Sequence, residues 1–189
     1  DVFIAKYSPA YELIWMRQID ITGGNAFVSG LYVDELGSIT LGGYVGLPAT
    51  SGVTTIGQQT FQFQGSMTNA FLTHLDSAGN YQWTRYWAGS ERVAISSIYV
   101  SSDSGTIHVA GVFSGTVDVD PSGGTYNLTS AGGLDGYVSS FDANGTFLRA
   151  ISVGGSDSDS VSGIAGVGGD NVFAVGTFSA SVQFGAASL

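Results

Sequence analysis

The chain has 189 residues, of which 43% are hydrophobic and only 11% charged, with 29 glycines and no cysteine. That balance supports a sizeable core and many tight turns and argues against a charge-rich disordered chain. It also excludes disulfides, thiol nucleophiles and thiolate metal sites. A net charge of −10, with Lys6, Arg17, Arg85, Arg92 and Arg149 as the permanent cations, disfavours nucleic acid and anionic membranes as partners. No apolar run reaches the ~18–20 residues of a membrane helix, so membrane insertion is not expected.

The first predicted strand opens a phrase that recurs. Asp1-Val2-Phe3-Ile4-Ala5-Lys6-Tyr7 returns as Asn69-Ala70-Phe71-Leu72-Thr73-His74-Leu75 and again as Asp135-Gly136-Tyr137-Val138-Ser139-Ser140-Phe141, after 68 and then 66 residues. A glycine-bearing phrase keeps the same phase, in 39–44, 107–112 and 172–177. Self-similarity at a fixed period marks an array whose units bury their cores by stacking. Three units follow: 1–68, 69–134 and an incomplete 135–189.

Within the second unit, strands are expected at about 69–76, 81–88, 94–101 and 106–113, with an outer connection after them. Phe71, Thr73 and Leu75 alternate with a period of two, which is the period of a sheet. Asp76-Ser77-Ala78-Gly79-Asn80 and Asp142-Ala143-Asn144-Gly145-Thr146 are hairpin turns, where Asp accepts local backbone N–H groups and Gly takes a left-handed backbone. Asp34 to Ser38 and Asp103 to Gly105 form a second turn set. No segment carries a capped apolar stripe of helical period, so helix is not expected. Trp15 and Trp83 share a phase at which the third unit has Arg149; Phe3, Phe71 and Tyr137 share another. Such aromatics are expected to plug one unit against the next. Gly43, Gly111 and Gly176 recur where a missing side chain admits close approach. The fold class is therefore all-β: consecutive four-stranded antiparallel blades of a β-propeller, too few at three to close a ring alone.

The segment Asp118-Val119-Asp120-Pro121-Ser122-Gly123-Gly124, followed by Asp135-Gly136-Tyr137-Val138 and Phe141-Asp142-Ala143-Asn144-Gly145, resembles the bacterial β-propeller repeat family known as SBBP. The first unit departs from it, with Gly46-Leu47-Pro48-Ala49 in place of the Asp-Pro loop and Ser8-Pro9-Ala10-Tyr11 in place of the turn. The resemblance implies an exported or cell-surface bacterial protein of the Bacteroidota type, with type IX secretion common among its members. It implies a scaffold or adhesin and no reaction.

Candidate chemistry is sparse. Asp118 and Asp120 are the best calcium candidates, since alternate carboxylates beside a Gly-rich turn offer some of the six to eight oxygens calcium takes; no other cofactor is expected. Gly154 to Asp159 holds two further aspartates. His74 and His108 lack the neighbours of a metal or catalytic pair. Glu12, Glu35 and Glu91 are too scattered for the paired carboxylates of a glycosidase, so the chain is not expected to be an enzyme. The insertion 46–66 carries a polar-aromatic alternation in which Phe61, Gln62 and Phe63 are candidate protein-partner residues. Trp87, Tyr86 and Tyr44 are candidate sugar platforms, making a glycan-binding propeller the alternative reading and a propeller glycosidase the third. Ser77, on a hairpin tip in Asp76-Ser77-Ala78, is a candidate O-glycan acceptor. Protein partners, neighbouring blades or subunits, and glycans are thus the expected contacts.

Overall fold

The computed structural model describes residues 1–49, 51–65, 68–167, 170–184 and 187–188. Among them there is no helix, and so none long and apolar enough to cross a membrane. The strands, in chain order, are β1 (Val2–Tyr7), β2 (Leu13–Ile19), β3 (Ile21–Thr22), β4 (Asn25–Val33), β5 (Ile39–Gly46), β6 (Ser51–Ile56), β7 (Gln59–Gln64), β8 (Thr68–Leu75) and β9 (Tyr81–Trp87). They continue as β10 (Val93–Val100), β11 (Ile107–Phe113), β12 (Thr116–Asp118), β13 (Asn127–Thr129), β14 (Asp135–Phe141), β15 (Phe147–Gly154), β16 (Ser160–Gly166), β17 (Val172–Thr177), β18 (Gln183–Phe184) and β19 (Ala187–Ser188).

The named strands pair antiparallel throughout, but the sheets do not coincide with the sequence repeats. One sheet has the order β4-β5-β8-β9 and the next runs β10-β11-β14-β15 before continuing into β18 and β19. Each takes the last two strands of one repeat and the first two of the following repeat. The single-repeat sheet that strand counting predicts is thereby corrected. Hydrogen bonding across the repeat boundary, as in Gly43 opposite Phe71 and Gly111 opposite Tyr137, makes each sheet non-local. Two half-sheets remain at the ends: β1 pairs with β2, and β16 with β17. No ring closes among the described residues.

Equivalent edge strands β4, β10 and β16 lie side by side. The Ser29 hydroxyl donates to the Ile95 carbonyl, and Ile164 N–H donates to Ser97 Oγ at 3.2 Å. Each of the three pairs with its hairpin partner through a register shift, between Val28 and Gly30, Ile95 and Ser97, and Val161 and Gly163. The bulge explains the recurrent glycine. A β-carbon on Gly43, Gly111 or Gly176 would run into the carbonyl oxygen of Phe27, Ala94 or Ser160 respectively. Phe71 and Tyr137 are fully buried between sheets, while Phe3, at the same phase but on an unpartnered end, is 73% exposed.

The first-repeat turn that departs in sequence keeps the hydrogen bonds of its counterparts. Ser8 N–H donates to Glu12 O and Tyr11 N–H to Ser8 O, matching Asp76 with Asn80 and Gly79 with Asp76. The Ser8 hydroxyl replaces the Asp carboxylate, accepting from Ala10 and Glu12 N–H. Tyr11 takes the glycine's left-handed backbone, at φ 60°.

Candidate functional site

The insertion after β5 folds into the hairpin β6–β7, whose strands alternate sharply in burial. Thr54, Ile56 and Phe63 face inward, and Phe61 is half-buried and stacked on Tyr86 with ring centroids 5.0 Å apart. Phe61 and Phe63 therefore belong to the protein's own core, which corrects their assignment as a free partner surface. The apolar rings gain more by covering Ile56 and Tyr86 than by facing water. Gln62 stays outward, opposite Val53, with Gln64 on the same face. Val53, Gln62 and Gln64 form an exposed strip on that face. The period of two shows in the sequence; which face is inside does not, because that depends on which sheet the hairpin covers.

The sugar-platform assignment is corrected in the same way. Trp87 is 3% and Tyr86 8% exposed, each within a hydrophobic cluster. Burial also pushes the Tyr86 hydroxyl up from its ordinary pKa. Tyr44 is half-buried, stacked on Phe27 at 4.8 Å with the Arg92 guanidinium 5.9 Å from its ring centroid. Ring faces occupied by protein cannot stack on a sugar.

Asp118 and Asp120 are half-buried, on the side opposite the fully buried Val119. Their oxygens already serve the turn. Asp118 Oδ1 accepts N–H from Asp120 at 3.1 Å and Tyr126 at 2.9 Å, and Asp120 Oδ1 accepts Ser122 N–H at 2.9 Å and the Ser122 hydroxyl. Among the described residues no group of three or more His, Asp or Glu side chains converges. Asp159 is likewise a loop cap, accepting Gly155 N–H at 2.6 Å and Ser179 N–H at 2.9 Å. Ser77 is exposed at its turn tip.

The two histidines occupy the same rung of successive sheets on opposite strands. His74 Nδ1 lies 3.1 Å from Thr40 Oγ1, and His108 Nδ1 lies 2.9 Å from Ser140 Oγ. Burial lowers both imidazole pKa values, against the raising effect of Asp34 and Asp76 on His74 and of Asp170 on His108. His108 Nε2 is 4.0 Å from Asp170 Oδ1. Each histidine bridges two strands, and His108, lying between Ser140 and Asp170, is fully buried with Ser140 3% exposed.

The most developed polar constellation lies elsewhere, at the junction between sheets. Trp83 and Arg85, two residues apart on β9, clasp the turn of the next repeat. Arg85 Nε donates to Gly145 O at 2.8 Å and its Nη2 to Asn144 O at 2.6 Å, with the guanidinium 5.1 Å from the Trp83 ring centroid. Trp15 and Arg17 on β2 repeat the device: Arg17 Nη2 donates to Ala78 O at 3.2 Å and the guanidinium is 5.5 Å from the Trp15 centroid. Packing of Trp between units, anticipated from the repeat phase, takes the form of a ring laid on a turn glycine; the arginine two residues on is an equally regular signal that the tryptophans overshadowed. On β15 the corresponding residues are Arg149 and Ile151, both exposed, and no turn rests on them among the described residues.

No protein-family model matches the chain. Over 172 residues, 87% of its length, it is 31% identical to the protein named Regulatory protein FlaEY of Caulobacter vibrioides. The similarity spans 17% of that protein's own length.

Proposed function

We propose that the chain is a run of blades from a β-propeller-type array, acting as a non-catalytic extracellular scaffold for protein contacts. The observation that carries this reading is the contrast between a constant frame and variable outer hairpins. The bulge, the glycine and the Trp-x-Arg clasp recur, whereas the outer connection is a six-pair ladder in β6–β7 and a three-pair ladder in β12–β13. A stiff frame that varies only its outer connections is suited to presenting contact surfaces. The outward strip of Val53, Gln62 and Gln64 is the surface of choice. An acidic chain with a sequence pI near 4.1 stays soluble and resists nonspecific adhesion to anionic surfaces. Similarity to part of a regulatory protein fits a module that works through contact.

A photo-reactive residue at position 62 tests the reading in the producing cells. Discrete protein adducts are expected from position 62 and none from position 63, whose side chain is inside. Equal labelling at both positions, or none at 62, overturns the contact role. Degradation of the protein by protease added to intact cells supports surface exposure; protection until lysis overturns it.

A further inference from the structure

We propose that Asp135 and Asp159 bind a calcium ion where the loop before β14 meets the loop after β15. Two buried carboxyls come together there in a chain with only five permanent cations. Asp135 is 2% and Asp159 3% exposed, and no lysine or arginine among the described residues pairs with either. A carboxylate taken out of water needs an opposite charge or hydrogen bonds in compensation.

Both carboxyls lie against one pair of glycines. A β-carbon on Gly154 would sit 2.2 Å from Asp135 Cγ, and Asp159 Oδ2 accepts Gly155 N–H at 2.6 Å. Asp135 Oδ2 accepts Ala131 N–H at 2.9 Å, whereas its Oδ1 is buried without a partner. Each Asp159 oxygen accepts one N–H, from Gly155 or Ser179, and keeps a second lone pair. Burial, joined by the Asp159 charge, raises the Asp135 pKa against the effect of the Ala131 N–H, in keeping with two neighbouring carboxyls.

The fold does not require these charges. At the preceding junction Asn69 stands two residues before Phe71, as Asp135 stands two before Tyr137. Val93 stands two before the bulge at Ile95, as Asp159 stands two before the bulge at Val161. Asn69 and Val93 are fully buried and neutral. The same frame closes around no carboxylate at one junction and around two at the next, which points to a ligand.

The donor set suits calcium. Two carboxylates offset a double positive charge, and the carbonyl oxygens of Gly155 and Ser156 lie 2.7 and 2.2 Å from where a β-carbon on Gly132 of the facing loop would be. No third acidic or histidine side chain converges among the described residues, so the remaining ligands are backbone carbonyls and water. Calcium takes six to eight oxygens of this kind in flexible geometry, whereas magnesium demands a near-ideal octahedron. With two carboxylates the affinity belongs to the weak class, with Kd about 10⁻⁴–10⁻³ M.

Urea midpoints of the chelator-treated chain, read during a calcium chloride titration at constant ionic strength, test the site. The midpoint should climb through the millimolar range with calcium and stay flat with magnesium chloride. Asp135→Asn, which copies Asn69, should be the more stable protein in chelator and should need about tenfold more calcium, or more, for any rise. Asp159→Asn, whose amide oxygen can still accept the loop N–H groups, is the second variant and should weaken the response likewise. Asp118→Asn, in the other aspartate loop, should keep it. A flat calcium titration overturns the proposal, as does an equal rise with magnesium, which would be a general cation effect on a chain of net charge −10. A rise unchanged in both Asp135→Asn and Asp159→Asn, or lost in Asp118→Asn, puts calcium elsewhere and overturns it too.

Discussion

Trp83 packs against Gly145 of the following repeat so closely that a β-carbon on the glycine would sit 3.0 Å from the indole ring. The glycine also holds φ at 73° and donates its N–H to Asp142 O, so space and backbone both reject a side chain. Gly145→Ala should therefore lower unfolding free energy by about 1–2 kcal/mol from the left-handed backbone alone. Trp83→Ala should cost about 2 kcal/mol, less than for a fully buried ring. Urea denaturation measures both, and a double variant falling short of the sum would show that the residues act as one contact.

Tyr11 offers the reverse experiment. It occupies a glycine's backbone at φ 60°, so Tyr11→Gly should stabilise the fold by about 1 kcal/mol, part of the gain being offset by the extra freedom of the unfolded chain. Urea denaturation of the variant beside the parent chain measures the gain, and a loss of stability would mean that Tyr11 is held by contacts that outweigh its backbone strain.

The hairpin β6–β7 should respond according to face. Phe63, 7% exposed, is expected to lose about 3 kcal/mol on truncation to Ala, whereas Gln62→Ala should stay within about 0.5 kcal/mol. Equal effects at the two positions would mean that the hairpin does not pack as described.

Stability should rise with pH through the histidine range. His74 and His108 have pKa values lowered from 6.5 chiefly by burial, so the unfolded chain takes up protons first as pH falls. Their contribution is whole above pH 6.5 and is lost as pH drops through the folded values. Denaturation midpoints at pH 5 and 7.5 should differ accordingly, and His108→Asn should shrink the difference.

Asp135 has the opposite sign. It is 2% exposed, one oxygen accepts Ala131 N–H at 2.9 Å, and the other lacks a partner. Burial raises its pKa above 3.8, so its stabilising effect is whole below that pH and is lost as pH rises through the folded value. The second repeat has Asn69 at this position, buried at 0% exposure. Asp135→Asn should therefore raise stability at pH 7 by about 1 kcal/mol and change little at pH 3, read from urea midpoints at the two values.

Local rules were legible in the sequence. Strand alternation, the Asp-x-x-Gly turns and the recurrent glycines depend on residues a few positions apart, and the structure has strands at 68–75, 81–87, 93–100 and 107–113 as the period of two implies. The turn at Ser8, a departure in sequence, keeps those bonds in the structure because a hydroxyl can accept the N–H bonds a carboxylate does. The inward face of Phe61 and the burial of Tyr86 and Trp87 were not legible. An aromatic ring on an alternating strand reads the same whether it meets solvent or another sheet, and only the packed sheets decide which.

The sequence alone therefore determined the all-β character, the period and the places where chain direction reverses, because backbone geometry and hydrophobic alternation are local. The tertiary structure decided which strands share a sheet. Hydrogen bonding joined the end of one repeat to the start of the next, leaving a half-sheet at each terminus. The repeat period cannot fix that choice, since it is unchanged wherever along the repeat the sheet boundary falls.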